Sequence, residues 1–455
     1  MATKKMTRKK MIQRNDGWSN ILTNLGVSNK DKRTGASVTA TFLRQSEVEN
    51  FYSGDDVAAR IVDRLPEEMT REGFEVYCDD FPDINEEIQE IFEKYDLYKK
   101  LEYGLKFSRL YGGAGLIIGA VDGVQASLPL DIDNIPSIDY WTLLHSYQLI
   151  PFDSEIDGDV LSPNYGLPKY YKIQDQSGSS DTTKYNTVKI HNSRVIRFEG
   201  VYVPPRLKSI VNYWGDSILT KLYTPISNYQ SCNDSCALVM QDMTQLIIKL
   251  KNLADMIASG DDALVTRRLS LLTSTASIIN AVVVEEGEEV ERKTTSLTGI
   301  PELLAKVNAR LVAATDYPHT ILLGESPSGL GATGQSEKMD WYAHVKNQQE
   351  SILRPIIKKI LNLMFASKSG PTKGVIPEKY SIEFCSLWQP SDKDVADTRK
   401  VVAETDQIYS NIGVLDPDEI AQNRFGNMKF SMETKIDMEN RAKLSTPEQE
   451  DDIEN

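Results

Sequence analysis

At 455 residues the chain is long enough for roughly two to four domains. Its 40% hydrophobic and 26% charged residues are those of a folded protein, and no apolar run reaches the ~18–20 residues that a membrane span requires. The formal net charge of −15 argues against a protein that grips nucleic acid through its phosphates, which takes an excess of Lys and Arg.

Residues 1–45 read as a loosely ordered arm. Lys4, Lys5, Arg8, Lys9, Lys10 and Arg14 make its start basic, with no acidic residue among the first fourteen. Such an arm is either solvated or directed at DNA or an acidic partner. No apolar core follows it, so no secretory signal is expected and the cytosol is the expected compartment. Order is expected from Ser53, where Ser53-Gly54-Asp55-Asp56 has the form of a capping box. Val57, Ile61, Leu65 and Met69 then mark one helical face. Gly73 ends that helix, and Phe74–Tyr77 reads as a strand. A second helix is expected from Ile84, with Ile88, Ile91, Tyr95, Leu101 and Leu105 on its face. Gly112-Gly113 stops it before a buried strand, Leu116–Val121. That order, helix then glycine then strand, reverses the dinucleotide-binding arrangement, which aims a helix N-terminus at phosphate.

Residues 120–215 alternate short β-like runs with long loops, which predicts an antiparallel region. Asp131, Asp133, Asp139, Asp153, Asp157 and Asp159 invite a cation site, but the closing glutamate of a calcium loop is missing, so a solvated acidic loop is expected. Ile218, Leu222, Ile226, Tyr229, Cys236 and Met240 predict a helix over 217–241, bent at Pro225. A strand at 245–250, short helices within 253–278 and a hairpin over 279–294 with Glu286-Gly287 at its tip follow. A further helix opens at Pro301, with Leu304, Val307, Leu311 and Ala314 on one face. A compact αβ insert, 242–299, thus sits between two helices.

The stretch from Pro318 to Pro355 carries the most information. A strand-like run, Ile321-Leu322-Leu323, leads into a loop holding Gly324, Gly329, Gly331 and Gly334. Gln335, Ser336 and Glu337 then open a long helix to Phe365 with Pro355 inside it. A phosphate-binding Walker loop needs a lysine after its last glycine, and the first here is Lys338. A nucleophile elbow needs G-x-S-x-G, and GESPSG is one residue too long. Paired H-x-[ST] motifs would supply two imidazoles for acid and base work. His191-Asn192-Ser193 fits once; His145 and His319 have their hydroxyl one place early, and His344 has none. Cys78, Cys232, Cys236 and Cys385 lack histidines at metal-ligand spacing and read as reduced, Cys232 and Cys236 being one helical turn apart. Near the C-terminus, 381–392 begins strand-like and passes into a helix carrying Val395, Val401 and Val402. Asp416, Pro417 and Glu419 open another helix, and 445–455 is an acidic tail.

Three blocks in order carry a resemblance to tailed-phage portal proteins: RIVDRLPEEMTREGFEV (60–76), LKFSRLYGGAGLIIGAVDG (105–123), and LLGESPSGLGATGQSE (322–337) followed by NQQESILRP (347–355). The resemblance implies an α+β phage portal fold with wing, helical stem, small αβ clip, long kinked helix and helical C-terminal crown. Its parts would be a basic arm, 1–45; wing, 46–216; stem helices, 217–241 and 300–315; clip, 242–299; tunnel loop, 316–334; long kinked helix and wing return, 335–390; and crown with acidic tail, 391–455. It implies a non-enzymatic ring, a dodecamer, assembled in the host cytoplasm and placed at a capsid vertex of the virion. Double-stranded DNA would pass through it, weakly bound, in packaging and ejection. The partners implied are the major capsid protein, the terminase large subunit and the head–tail adaptor, with no membrane and no cofactor. Gly324, Glu325, Ser326, Ser328, Gly329, Gly331, Thr333 and Gly334 would face the DNA. Glu285, Glu286, Glu288 and Glu289 would meet the clip's partners, and Pro355 would kink the long helix. A phosphodiesterase-like enzyme and a generic capsid adaptor are the competing readings.

Overall fold

Two helices meet at Asp55: α1 (Gln45–Gly54) ends before it and α2 (Asp56–Thr70) begins after it. The Asp55 carboxylate accepts from the Ala58 N–H at 2.7 Å, satisfying an amide that the helix start leaves orphaned. The cap is therefore Asp55 and not Ser53, and helical structure begins earlier, at Gln45. The computed structural model describes residues 42–78, 80–152, 155–174, 188–241, 244–249, 266–267, 270, 289–294, 299–324, 335–388 and 392–425.

Val57, Ile61, Leu65 and Met69 are buried, as their spacing predicts. Gly73, at φ +70°, turns the chain into β1 (Phe74–Tyr77). The single helix expected next is two, α3 (Ile84–Lys94) and α4 (Leu97–Tyr111). Asp96 separates them at φ +50°, a left-handed conformation that Asp tolerates better than most residues. The buried face of α3 is Ile84, Ile88 and Phe92, at i, i+4 and i+8, so Phe92 takes the buried place expected of Ile91.

Gly112 caps α4 at φ +79° and delivers the chain to β2 (Gly113–Val121), the centre of an antiparallel sheet. Its neighbours are β3 (Ser137–His145) and β7 (Val195–Glu199), with Ile118 opposite Trp141 and Leu116 opposite Ile196. The Gly112 carbonyl accepts from both Gly200 N–H, at 3.0 Å, and Gly215 N–H, at 2.8 Å. A Cβ on Gly200 would lie 2.5 Å from the Ser108 carbonyl oxygen. The glycines here let three backbones meet, a role beyond stopping a helix. A second sheet joins β4 (Leu149–Pro151), β5 (Tyr170–Ile173) and β6 (Lys189–His191). Ile117, Leu149, Tyr171, Ile190, Val195 and Trp214 form the core between the two sheets.

Helix α5 (Ile218–Gln241) runs on through Pro225. Strand β8 (Thr244–Lys249) follows, and it pairs antiparallel with β9 (Glu289–Thr294). The first arm of the expected hairpin and the helices of 253–278 lie, but for residues 266–267 and 270, outside the described residues. Helix α6 (Ile300–Thr315), with Pro301 in its first turn, packs on α5. The expected strand at 321–323 is instead a short helix, α7 (His319–Leu322). Helix α8 (Gln335–Gln348) passes into a π-helical turn, Gln349–Leu353, and then α9 (Arg354–Ala366). Strand β10 (Ser381–Phe384) returns to pair with β1.

The chain divides into two compact units, Met1–Cys385 and Ser386–Asn455. The second holds α10 (Asp392–Ile412) and α11 (Pro417–Phe425). Gly413, at φ +76°, turns between them, Glu419 accepts from the Asp416 N–H at 3.1 Å, and Arg424 clasps Asp406 with two bonds. Among the described residues no helix is long and apolar enough to cross a membrane.

Candidate functional site at the base of the glycine loop

Helix α6 ends at Asp316, φ +58°, and the next residue, Tyr317, turns inward until it is 3% exposed. Its hydroxyl donates to the Ile61 carbonyl of α2 at 2.9 Å. Arg109 of α4 donates to that same carbonyl at 2.7 Å and to the Tyr317 oxygen at 3.1 Å. Burial, against the opposing Arg109 charge, pushes the Tyr317 phenol up, so the ring stays a neutral donor. Its face lies 4.7 Å from Trp341 of α8, and Trp341 stacks on His344 at 5.6 Å.

Three more bonds complete this base. Arg60 of α2 donates to the Leu322 carbonyl at 2.8 Å. The Thr320 N–H donates to Glu337 at 3.2 Å, joining α7 to the first turn of α8. Gln349, 1% exposed, donates to the Met69 carbonyl at the far end of α2, at 2.8 Å. Trp341 and Val345 form the buried stripe of an otherwise polar α8, and Gln349, first residue of the π-helical turn, continues it at i+8. Helix α2 thus holds both flanks of the loop, one at Arg60 and Ile61 and the other at Met69.

The π-helical turn has an evident cause. Pro355 has no N–H and would collide with the carbonyl four residues back, and a widened turn immediately before it relieves that collision. Of the residues expected to face DNA, only Gly324 is described. It is exposed at φ +78°, with nothing within 4 Å of where a Cβ would stand. Glu325, Ser326, Ser328, Gly329, Gly331, Thr333 and Gly334 lie outside the described residues, as do Glu285, Glu286 and Glu288. Glu289 is the first residue of β9. Sequence reasoning missed Arg60, Arg109, Tyr317, Trp341 and Gln349. The available signal was an apolar i, i+4 pair on a polar helix, Trp341 and Val345.

His191 is committed locally. Its Nδ1 lies 2.9 Å from Ser193 Oγ and accepts from the Ser193 N–H at 3.2 Å, while that hydroxyl also accepts from the Leu130 N–H at 2.8 Å. His145 is buried, stacked on Tyr111 at 4.3 Å. Asp157 accepts from Ser162 at 2.5 Å and from the Asp159 N–H at 3.2 Å, which closes a turn. None of the four cysteines is in a disulfide, and among the described residues no three His, Cys, Asp or Glu side chains are grouped to hold a metal. The loop base itself is built of backbone anchors and aromatic packing on either side of residues 325–334.

Two curated relatives are each named anti-CBASS protein Acb1. The one from Caulobacter sp. (strain RHG1) is 30% identical over 402 residues, 86% of this chain and 62% of the relative. The one from Sphingomonas paeninsulae is 28% identical over 421 residues, 90% of this chain and 64% of the relative. The chain therefore spans less than two thirds of the length of either. An uncharacterized protein of Haemophilus influenzae (strain ATCC 51907 / DSM 11121 / KW20 / Rd) is 25% identical over 376 residues, covering 82% and 81% of the two chains. Among solved structures, a chain from the neck of a native gene transfer agent particle, computed with C12 symmetry, has a TM-score of 0.43 at 12% identity, covering 86% of this chain and 95% of that one. An HK97 family phage portal protein from Corynebacterium diphtheriae has a TM-score of 0.36 at 12% identity, covering 77% and 97%. The family described as phage portal protein matches residues 46–408, a span that takes in all three sequence blocks and the whole loop base. On that match, the chain belongs to the phage portal protein family.

Proposed function

We propose that this chain assembles into a ring of twelve copies at one vertex of a phage capsid, through which double-stranded DNA is packaged and later ejected. Family membership over residues 46–408 carries the reading. The geometry supports giving the loop of Gly324, Glu325, Ser326, Ser328, Gly329, Gly331, Thr333 and Gly334 the DNA-facing role. A glycine-rich sequence between two flanks that are both tied to one helix suits a segment that must give way to a moving polymer. The net charge of −15 supports a lining that repels phosphate and lets DNA slide.

In this reading residues 46–216 are the wing and face the major capsid protein. Helices α5 and α6 are stem helices, and 242–299 is the clip. Glu285, Glu286, Glu288 and Glu289 present a negative rim to the terminase large subunit and later to the head–tail adaptor. The chain lacks a lysine directly after Gly334, so ATP hydrolysis is assigned to the terminase. Assembly occurs in the host cytoplasm and the ring ends in the virion.

Native mass spectrometry with negative-stain imaging of purified chain tests this. Rings with a central hole are expected, and a population of folded monomers alone counts against it. Deleting Ser326–Ala332 should leave rings intact and impair packaging. Loss of rings with the monomer still folded would reassign the loop to a contact between subunits.

A second reading, anti-CBASS activity, is favoured by the name of the two relatives. The enzyme form of that reading has little to use here, since the one H-x-[ST] imidazole, His191, is engaged by Ser193. Plaque counts on a CBASS-bearing host with and without this chain separate the two. Rescue of phage growth would favour the second.

A further inference from the structure

Helix α10 has two contrasting faces. On one, Val401, Ile408 and Ile412 are 59%, 55% and 68% exposed. With Thr398 and Thr405 they recur at alternating steps of three and four residues, the spacing of a coiled-coil seam. The Thr405 hydroxyl donates to the Val401 carbonyl at 2.8 Å, so its polar atom is engaged within the helix. Every residue of this ridge is β-branched and stiff at χ1, so the ridge is preformed and loses little freedom on docking. On the other face, α10 and α11 bound a groove of about 340 Å3. Ala403, Gln407 and Ser410 of α10 line it with Pro417 and Ile420 of α11. The Asp406–Arg424 pair ties the two helices together there, at 3.0 and 3.1 Å, and neutralises the one carboxylate of the lining. At about 100° per residue, Val401, Ile408 and Ile412 fall within about 40° of arc, and Ala403, Gln407 and Ser410 centre about 150° away.

We propose that Val401, Ile408 and Ile412 of one copy seat in the α10–α11 groove of a second copy, a head-to-tail contact that repeats around the ring. Each copy supplies both halves of the contact, an aliphatic ridge and a groove, on nearly opposite sides of one helix. A two-fold pair would set ridge on ridge and leave both grooves empty. β-branched residues at every seam position also disfavour a two-stranded pairing. Ridge into groove covers both faces, and each copy then docks one neighbour on either side, the arrangement that closes into a ring. The lengths agree: the ridge from Val401 to Ile412 spans about 16 Å of helix, and the α10 wall of the groove, Ala403 to Asn411, about 12 Å. The proposal rests on the reading of the chain as a ring subunit and assigns which of its faces meet.

Photo-cross-linking of the full chain, with benzoylphenylalanine in place of Ile408 or, separately, of Ile412, reads the contact directly. Both positions are exposed, so neither label should disturb the fold. Isotopically heavy and light chains are mixed in equal amounts before assembly, and linked peptides are identified by mass spectrometry. Links to Ala403–Asn411 or Pro417–Ile420 are expected, with heavy–light pairs as frequent as like pairs. Ala403→Trp fills the groove from an exposed helix position and should cut the yield of those links about tenfold or more, with amide exchange in α10 unchanged. Links confined to one chain would put another part of the same molecule on the ridge and overturn the proposal. Links to the ridge of another copy would show a two-fold pair and overturn it as well. Rings seen by native mass spectrometry without cross-chain links to the groove sink this contact and leave the conduit reading standing. Folded monomers alone sink the conduit reading and this contact with it.

Discussion

Arg60 and Leu322 are joined by a 2.8 Å hydrogen bond across 262 positions of chain, guanidinium to backbone carbonyl. The bond fixes the last residue of α7 to α2 immediately before the glycine loop. Arg60→Met keeps much of the aliphatic stem and removes the donor. Because the side chain is largely exposed, the loss in stability should be only about 1 kcal/mol. The local effect should be clearer: faster amide exchange at Leu322–Gly324, with α4 unchanged. Uniform acceleration across α2 and α4 would mean that the bond supports the whole helix layer.

Gly200→Ala should be among the most damaging single-methyl changes in the chain. The new Cβ would meet the Ser108 carbonyl oxygen at 2.5 Å and Gly112 Cα at 2.6 Å, both backbone atoms that cannot rotate away. A loss of about 1–3 kcal/mol is expected in chemical denaturation. Gly54→Ala, where nothing lies within 4 Å, is the control and should be neutral or stabilising.

Asp122 and Arg194 form a buried ion pair at 2.5 Å, side chains 1% and 5% exposed. Asp122→Ala strands a buried guanidinium and should cost about 3–5 kcal/mol, whereas Asp122→Leu with Arg194→Met should recover much of that. Burial raises the carboxyl, but bonds from Arg194 and from the Asp131 and Val124 N–H groups outweigh it, leaving it below its ordinary value. Its contribution is therefore complete above the ordinary carboxylate range and lost as pH falls through the lowered value. Acid titrations of the wild type and the double variant should diverge below about pH 4.

His145 works in the opposite sense. Burial, partly opposed by Glu49, lowers its imidazole to about 4 from an ordinary 6.5. The unfolded chain takes up the proton first, so stability should decline as pH falls from 6.5 toward 4, by up to about 3 kcal/mol. His145→Phe keeps a ring to stack on Tyr111 and should flatten that decline. An unchanged pH profile would show that the imidazole is already hydrated in the native state.

Assembled chain without residues 1–14 should bind duplex DNA very weakly at physiological salt, because phosphate contacts supply most non-specific affinity. Submicromolar binding that weakens steeply with salt would contradict a repelling conduit. The measurement is a salt titration by fluorescence anisotropy.

Most elements were legible in the sequence because they obey a single period over more than two turns or a full strand. The α2 face and the buried run of β2 from Gly113 to Gly119 are of that kind. Ile321-Leu322-Leu323 is too short for any period to show, and the Pro318 that opens α7 is compatible with turn or helix alike. Asp96 interrupts a continuous apolar pattern with a backbone conformation that composition does not reveal. The residues that mount the loop were hidden for another reason. Arg60, Arg109 and Gln349 look like surface polar groups until the chain returns to offer them a carbonyl or a phenol. The partner of β8 was likewise unreadable, since β9 pairs with it across an insert and not across a turn.

Strand β1 meets β10 with Phe74 opposite Phe384, so its neighbour is nearly the last piece of the first unit to be made. Asn85 and Gln89 of α3 bond the Val76 N–H and the Phe74 carbonyl from nearby in sequence, at 3.0 and 2.9 Å. On the ribosome, amide side chains can engage those two groups early, while pairing with β10 must wait until Ser381–Phe384 emerges. Nascent or truncated chains ending before Ser381 carry an open strand edge, the kind of surface that recruits other chains. Aggregation of such fragments, and chaperone capture of nascent chain up to that point, is the biosynthetic consequence of closing the fold on its own beginning.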